Sequence, residues 1–324
     1  MSVLLTLENI AIGFGDDGPL AVHDVSLTVG EGEVVGLVGE SGSGKSLTCR
    51  SVLRLIPGRG RIRSGTVRMA GRDVLGLSAP ELRDLRAHQV GMIFQDPFTS
   101  LNPTLRIGAQ LVETLRVNAG LTRDAARRRA VQLLDQVDIP RPEERLRAYP
   151  HELSGGMRQR VMIAMAMACD PLLLIADEPT TALDVSTQAQ VLALLQRLRR
   201  ERGMSVLLVS HDFGVIAAVC DRVVVMYGGF VVESGTVEQV YRTPAHPYTR
   251  ALLDAVPSLE VPEPGERRRA IPGPPLGSTS YDGGCPFAPR CALAGPACAE
   301  VDMSLRPAGD GHLSACPFAE GDPR

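Results

Sequence analysis

Apolar and polar positions follow two rhythms along the chain. Leu4–Gly30 alternates apolar with polar residues between Gly and Asp turns, which predicts a short β meander with one buried face. Val34–Val38, Leu172–Ala176 and Val206–Ser210 are apolar throughout or nearly so, as in strands buried on both faces. Helical patterning fills the spaces between them. It covers Ser46–Ile56, halted by Pro57–Gly58, most of Asp96–Met167, and Thr187–Arg202. Strands alternating with helices predict an α/β fold on a mainly parallel sheet.

Composition narrows this picture. A chain of 324 residues suits two compact units, or one large domain with an extension. With 44% hydrophobic and 22% charged residues it is globular, and wholesale disorder is excluded. A net charge of −3 provides no global field for nucleic acid. The basic stretches Thr122–Val137 and Arg197–Arg202 carry apolar residues at helical spacing and read as solvated helix faces. No apolar run approaches the roughly 20 residues that span a bilayer. The opening residues lack a basic n-region and a small-residue cleavage site, so a cytosolic protein is expected. Beyond residue 256 the composition shifts: 12 of the 24 prolines and four of the seven cysteines lie there. This reads as a Pro-rich linker and a small cysteine-bearing tail, too short to build a core unaided.

Candidate chemistry begins with an imbalance. Of 34 basic residues only Lys45 is a lysine, so a compact ammonium is kept at that place alone. It belongs to Gly39-Glu40-Ser41-Gly42-Ser43-Gly44-Lys45-Ser46, which fits the phosphate-binding P-loop between an apolar strand and a helix. The glycines allow backbone N–H groups to turn toward phosphate oxygens, and the helix dipole points the same way. Lys45 is expected to reach the β- and γ-phosphates, and the Ser46 hydroxyl to hold Mg²⁺. Leu172–Ala176 runs into Asp177 and Glu178, paired acids at a strand's carboxyl end, where open α/β sheets bind ligands. Asp177 is expected on Mg²⁺, and Glu178 is expected to orient and polarise the attacking water. His211 after Val206–Ser210 and Gln95 after Val90–Phe94 are candidates for sensing the γ-phosphate and the Mg²⁺ with its water.

Leu153-Ser154-Gly155-Gly156-Met157-Arg158-Gln159-Arg160 resembles the signature motif of ATP-binding-cassette ATPases, and the family's other landmarks follow in order over residues 1–255. Gln95 matches the Q-loop glutamine, Ala182-Leu183-Asp184 the D-loop and His211 the switch histidine. The resemblance implies a RecA-like P-loop core with antiparallel β and helical subdomains, the latter over about 97–167, and a separate tail over 256–324. It also implies a head-to-tail pair of cassettes. Each ATP would lie between one subunit's P-loop and the Ser154, Gly155, Gly156 and Met157 of the other. Phe14 matches the aromatic that stacks on adenine, although it equally suits a core position.

Gln95–Pro103 and His246-Pro247-Tyr248 through Leu253 resemble the oligopeptide/dipeptide/nickel importer ATPases of bacteria. That branch implies a related second ATPase chain, two membrane-spanning permease subunits, an extracytoplasmic solute-binding protein, and a peripheral place on the cytoplasmic face of the membrane. Peptides are the expected cargo, with nickel or another small solute as the alternative. A soluble cassette ATPase in iron–sulfur assembly is the rival. Cys285, Cys291, Cys298 and Cys316 lack the closely spaced knuckles usual for zinc, and a reducing cytosol disfavours disulfides. Four thiolates suit a [4Fe–4S] cluster. The tail resembles an extension that holds such a cluster in some relatives, with zinc or reduced thiols as the alternatives.

Overall fold

A computed structural model describes residues 2–16, 18–95, 100–181, 183–255, 271–273, 281 and 283–319. The chain divides into two compact units, one made mainly of residues 76–207 and the other of 3–29, 34–75 and 208 onward.

In the second of these, β1 (Val3–Phe14), β2 (Leu20–Gly30), β4 (Gly60–Met69) and β5 (Arg72–Asp73) form a sheet in the order β2-β1-β4-β5. The expected meander is thus two long strands closed by a third. β1 pairs antiparallel with β4 from Leu5↔Met69 to Phe14↔Gly60. The same unit holds β3 (Val34–Val38), β9 (Arg222–Tyr227), β10 (Phe230–Thr236), β11 (Arg306–Gly309) and β12 (His312–Ser314), in the order β11-β12-β10-β9-β3. β3 and β9 are parallel, and the rest are antiparallel. All five residues of β3 are buried, as its unbroken apolar run predicts. The tail enters this sheet through β12, whose Ser314 lies opposite Glu233. Two strands that cannot bury a face alone gain one here.

The unit centred on residues 76–207 pairs β6 (Val90–Ile93) in parallel with β7 (Leu173–Asp177), in the order β8-β7-β6. β8 (Ser205–Ser210) carries the division of the chain, between Leu207 and Leu208. The helical stretch between β6 and β7 contains the helices Ile107–Asn118, Arg123–Gln136, Pro142–Arg145 and Gly155–Ala166. Arg123–Gln136 is capped by the Thr122 hydroxyl and buries Ala126, Ala130, Leu133 and Leu134. Its Arg129, together with Arg202, pairs with Asp170, and Arg197 pairs with Asp138. Among the described residues no helix is long and apolar enough to cross a membrane.

Candidate functional site

The nucleotide-loop candidate starts where β3 ends. Gly39 has φ 155°, and a Cβ there would sit 2.1 Å from the Met226 carbonyl oxygen on β9, so only glycine lets the chain leave the strand this way. Ser41 and Gly42 are exposed, while Ser43 and Lys45 are buried beneath the loop. The Lys45 ammonium donates to the Gly39 carbonyl at 2.7 Å, the Glu40 carbonyl at 2.8 Å and Ser43 Oγ at 3.3 Å. It therefore ties the two ends of the loop together, a role for which one compact, three-donor charge suffices. Gly44 precedes the helix Lys45–Val52, whose first turn carries no acidic residue and no side-chain cap, and Ser46 lies half-buried there. The positive end of that helix is left for an anion. In the same unit Phe14 closes β1 with 39% of its surface exposed. His211 is exposed directly after β8, and Asp212 caps the following helix by accepting from the Gly214 N–H.

The other unit gathers a second set. Asp177 ends β7 fully buried. Glu178 follows with φ 49°, a left-handed conformation that costs a non-glycine residue on the order of 1 kcal/mol or more and marks functional turns. Glu178 Oε2 accepts from Gln95 Nε2 and from Thr181 Oγ1, each at 2.9 Å. The structure thus brings together Gln95 and Glu178, 83 residues apart, and adds Thr181, which the motif reading did not include.

Ser154 caps the helix Gly155–Ala166 through the Met157 N–H, leaving Ser154 and Gly155 exposed at its start. A Cβ on Gly156 would come within 2.6 Å of Thr187 Cγ2. Thr187 also donates to Asp184, through its N–H at 3.0 Å and its hydroxyl at 2.7 Å. Hydrogen bonds from Ser186 and Thr187 hold the Asp184 carboxyl well below the usual range. Signature and D-loop residues therefore meet at one threonine. Ala182, Asp96–Thr99 and the linker residues 256–270 and 274–280 lie outside the described residues.

Two family profiles match the chain: ABC transporter over residues 22–181, and the oligopeptide/dipeptide transporter C-terminal region over 232–298. An oligopeptide transport ATP-binding protein, OppD, of Salmonella typhimurium is 46% identical over 97% of this chain and 93% of its own length. The OppD of Haemophilus influenzae is 45% identical over 98% and 97%. The chain belongs to the oligopeptide/dipeptide branch of the ATP-binding-cassette ATPases. Among solved structures, the ATP-binding cassette MJ0796, as a post-hydrolysis dimer bound to ADP and Pi, shares 29% identity with this cassette. It matches 72% of this chain and 99% of that one with a TM-score of 0.64. CbiO1 from Clostridium perfringens, part of a cbiONQ transporter complex, gives 0.65 at 28% identity over 75% and 92%.

In this ATPase the His-Pro-Tyr segment is more than a helix start. His246 is buried, and its Nδ1 accepts the Tyr248 N–H at the head of the helix Pro247–Ala255. The fully buried Tyr248 packs its ring against Tyr227 and Phe287, and its hydroxyl reaches the nucleotide loop at Glu40. Arg290, between two of the tail cysteines, reaches Glu40 as well. No local pattern announced either contact.

The tail thiols are near one another but are not gathered as metal ligands. Cys298 and Cys316 are buried, and Cys285 and Cys291 half-buried. Burial pushes Cys285 up to about 11, with neighbouring cysteines adding to the shift, and Cys291 and Cys316 are raised for the same two reasons. Among the described residues no group of three or more His, Cys, Asp or Glu side chains is placed to hold a metal ion. The expected [4Fe–4S] site is therefore not supported by this arrangement.

Proposed function

We propose that this chain is the ATP-hydrolysing subunit of a bacterial importer of di- and oligopeptides. It would act on the cytoplasmic face of the membrane beside two permease subunits, a second and related cassette, and an extracytoplasmic solute-binding protein. The observation that carries this reading is the match to oligopeptide transport ATPases across nearly the whole chain, including the C-terminal region specific to that branch. Lys45 and the loop N–H groups hold the β- and γ-phosphates, and Phe14 stacks on the adenine. The side-chain oxygens of Ser46, Gln95 and Asp177 are hard donors that would hold Mg²⁺, which would supply neutralisation of phosphate charge. Glu178, held by Gln95 and Thr181, orients and polarises water for in-line attack on the γ-phosphate, which His211 senses. Catalysis is then mostly positional and electrostatic.

The signature helix start takes the ATP of a partner cassette. Exposure of Ser154, Gly155 and Asp184, with Val185 82% exposed beside them, supports such a pairing. The [4Fe–4S] reading of Cys285, Cys291, Cys298 and Cys316 rests on the resemblance of the tail, and iron with acid-labile sulfide in anaerobically purified protein decides it.

The test of the function is uptake of a labelled tripeptide beside labelled nickel, in cells whose sole peptide-importer ATPase of this kind carries Glu178→Gln. Loss of peptide uptake with nickel spared is expected. Nickel lost with peptide spared changes the cargo, and both unchanged overturns the importer reading.

A further inference from the structure

Residue 40 is the second position of the nucleotide loop, and each of its polar groups is held. Its N–H donates to the Tyr248 hydroxyl at 2.8 Å, and its carbonyl accepts from Lys45 at 2.8 Å. Its carboxylate takes both arms of the Arg290 guanidinium, at 2.7 and 3.1 Å. Two of these three partners come from the far end of the chain, 208 and 250 residues away.

The Arg290 side chain is only 7% exposed, and that of Glu40 23%. Arg290 is in turn fixed by the Pro272 carbonyl at 2.8 Å and the Tyr227 hydroxyl at 3.2 Å. It ends a short turn, Ala288–Arg290, between Cys285 and Cys291, and Phe287 just before that turn packs on Tyr227 and Tyr248. A two-armed guanidinium fixes the orientation of a carboxylate as well as its charge. A loop fixed before the ligand arrives has less order to gain on binding.

We propose that Arg290 is a positioning residue for the nucleotide loop, through which the cysteine-bearing tail sets the affinity for ATP. This rests on the ATPase reading above. Arg290 reaches the loop on the side of Glu40 and is not itself a phosphate-binding group, so its loss weakens binding without altering the chemical step.

The test is equilibrium titration and steady-state kinetics with ATP on the full chain. Arg290→Ala is expected to raise Kd and KM about tenfold with kcat within twofold, the mark of lost ground-state binding. Arg290→Lys, which keeps the charge and loses one arm, is expected to fall between. Should Arg290→Ala fail to fold because the half-buried Glu40 is left with an unmatched charge, Arg290→Met with Glu40→Gln removes both charges. That double variant is expected to fold and to show the same rise in KM. Wild-type Kd and KM in every folded variant overturn the proposal alone. A wild-type chain that neither binds nor hydrolyses ATP overturns the ATPase reading, and this proposal with it.

Discussion

Two glutamates follow buried strands in this molecule, and they are held by opposite means. Glu178 leaves β7 in a left-handed conformation and accepts from an amide and a hydroxyl, Gln95 and Thr181. Glu40 leaves the P-loop strand and is clasped by a buried guanidinium. Neutral donors orient a carboxylate without cancelling its charge, which suits a group that must polarise water. A guanidinium cancels the charge while fixing the geometry, which suits a group that shapes a loop. The kind of donor, more than burial or position after a strand, separates the glutamate proposed to polarise water from the one proposed to shape the loop.

The largest effect that sharpens this contrast is at Glu178 itself. Glu178→Gln keeps an oxygen for the Gln95 and Thr181 donors and removes the charge. Turnover is expected to fall by roughly 10²–10⁴-fold, the range for a lost general base, with ATP still bound. Rapid hydrolysis by this variant would remove the distinction between the two glutamates. Next comes Lys45→Ala, which frees both ends of the loop and removes the group proposed to hold the phosphates. ATP affinity is expected to drop by at least about 30-fold in equilibrium titration, since charge-assisted hydrogen bonds contribute about 1.5–3 kcal/mol each.

A smaller effect tests the neutral donors. Thr181→Val keeps the shape and deletes one hydrogen bond to Glu178 Oε2. With a net hydrogen bond worth about 1 kcal/mol, kcat is expected to fall about fivefold while KM for ATP stays put. A shift in KM alone would mean that Thr181 serves the nucleotide and not the glutamate.

Legibility in the sequence divides along the same line. Gly39, Ser154, Asp177 and Asp184 announce themselves because local geometry demands their residue types: a left-handed exit, two helix caps, a carboxylate at a strand end. The β9–β10 hairpin was also written locally, as Val223–Tyr227 and Phe230–Val232 around Gly228-Gly229, yet its apolar runs carry no alternation to separate strand from buried helix. The place of the tail was not legible. Its two strands are short, and its link to the loop is an ion pair across 250 residues, which no spacing rule encodes. The raised thiols belong to this class too, since burial is a property of the folded tail.

The last effect is read in stability and not in turnover, and it concerns the His-Pro-Tyr segment that carries Tyr248 to Glu40. Burial holds His246 down to about 4, against the upward pull of the nearby Glu233 carboxylate. Its Nδ1 accepts the Tyr248 N–H, so a proton added there would displace the bond that starts the helix. Between pH 4 and about 6.5 the unfolded chain binds more proton at this site than the folded one, so stability rises with pH through that window. The contribution is complete above about 6.5, is lost as pH falls toward 4, and amounts to on the order of 3 kcal/mol. His246→Asn supplies an uncharged acceptor for the same N–H. The unfolding midpoint of that variant is expected to vary less between pH 6.5 and pH 4 than that of the wild type. A slope identical to the wild type would show that His246 adds no pH-dependent stability and that the bond it accepts from the Tyr248 N–H is not what protonation breaks.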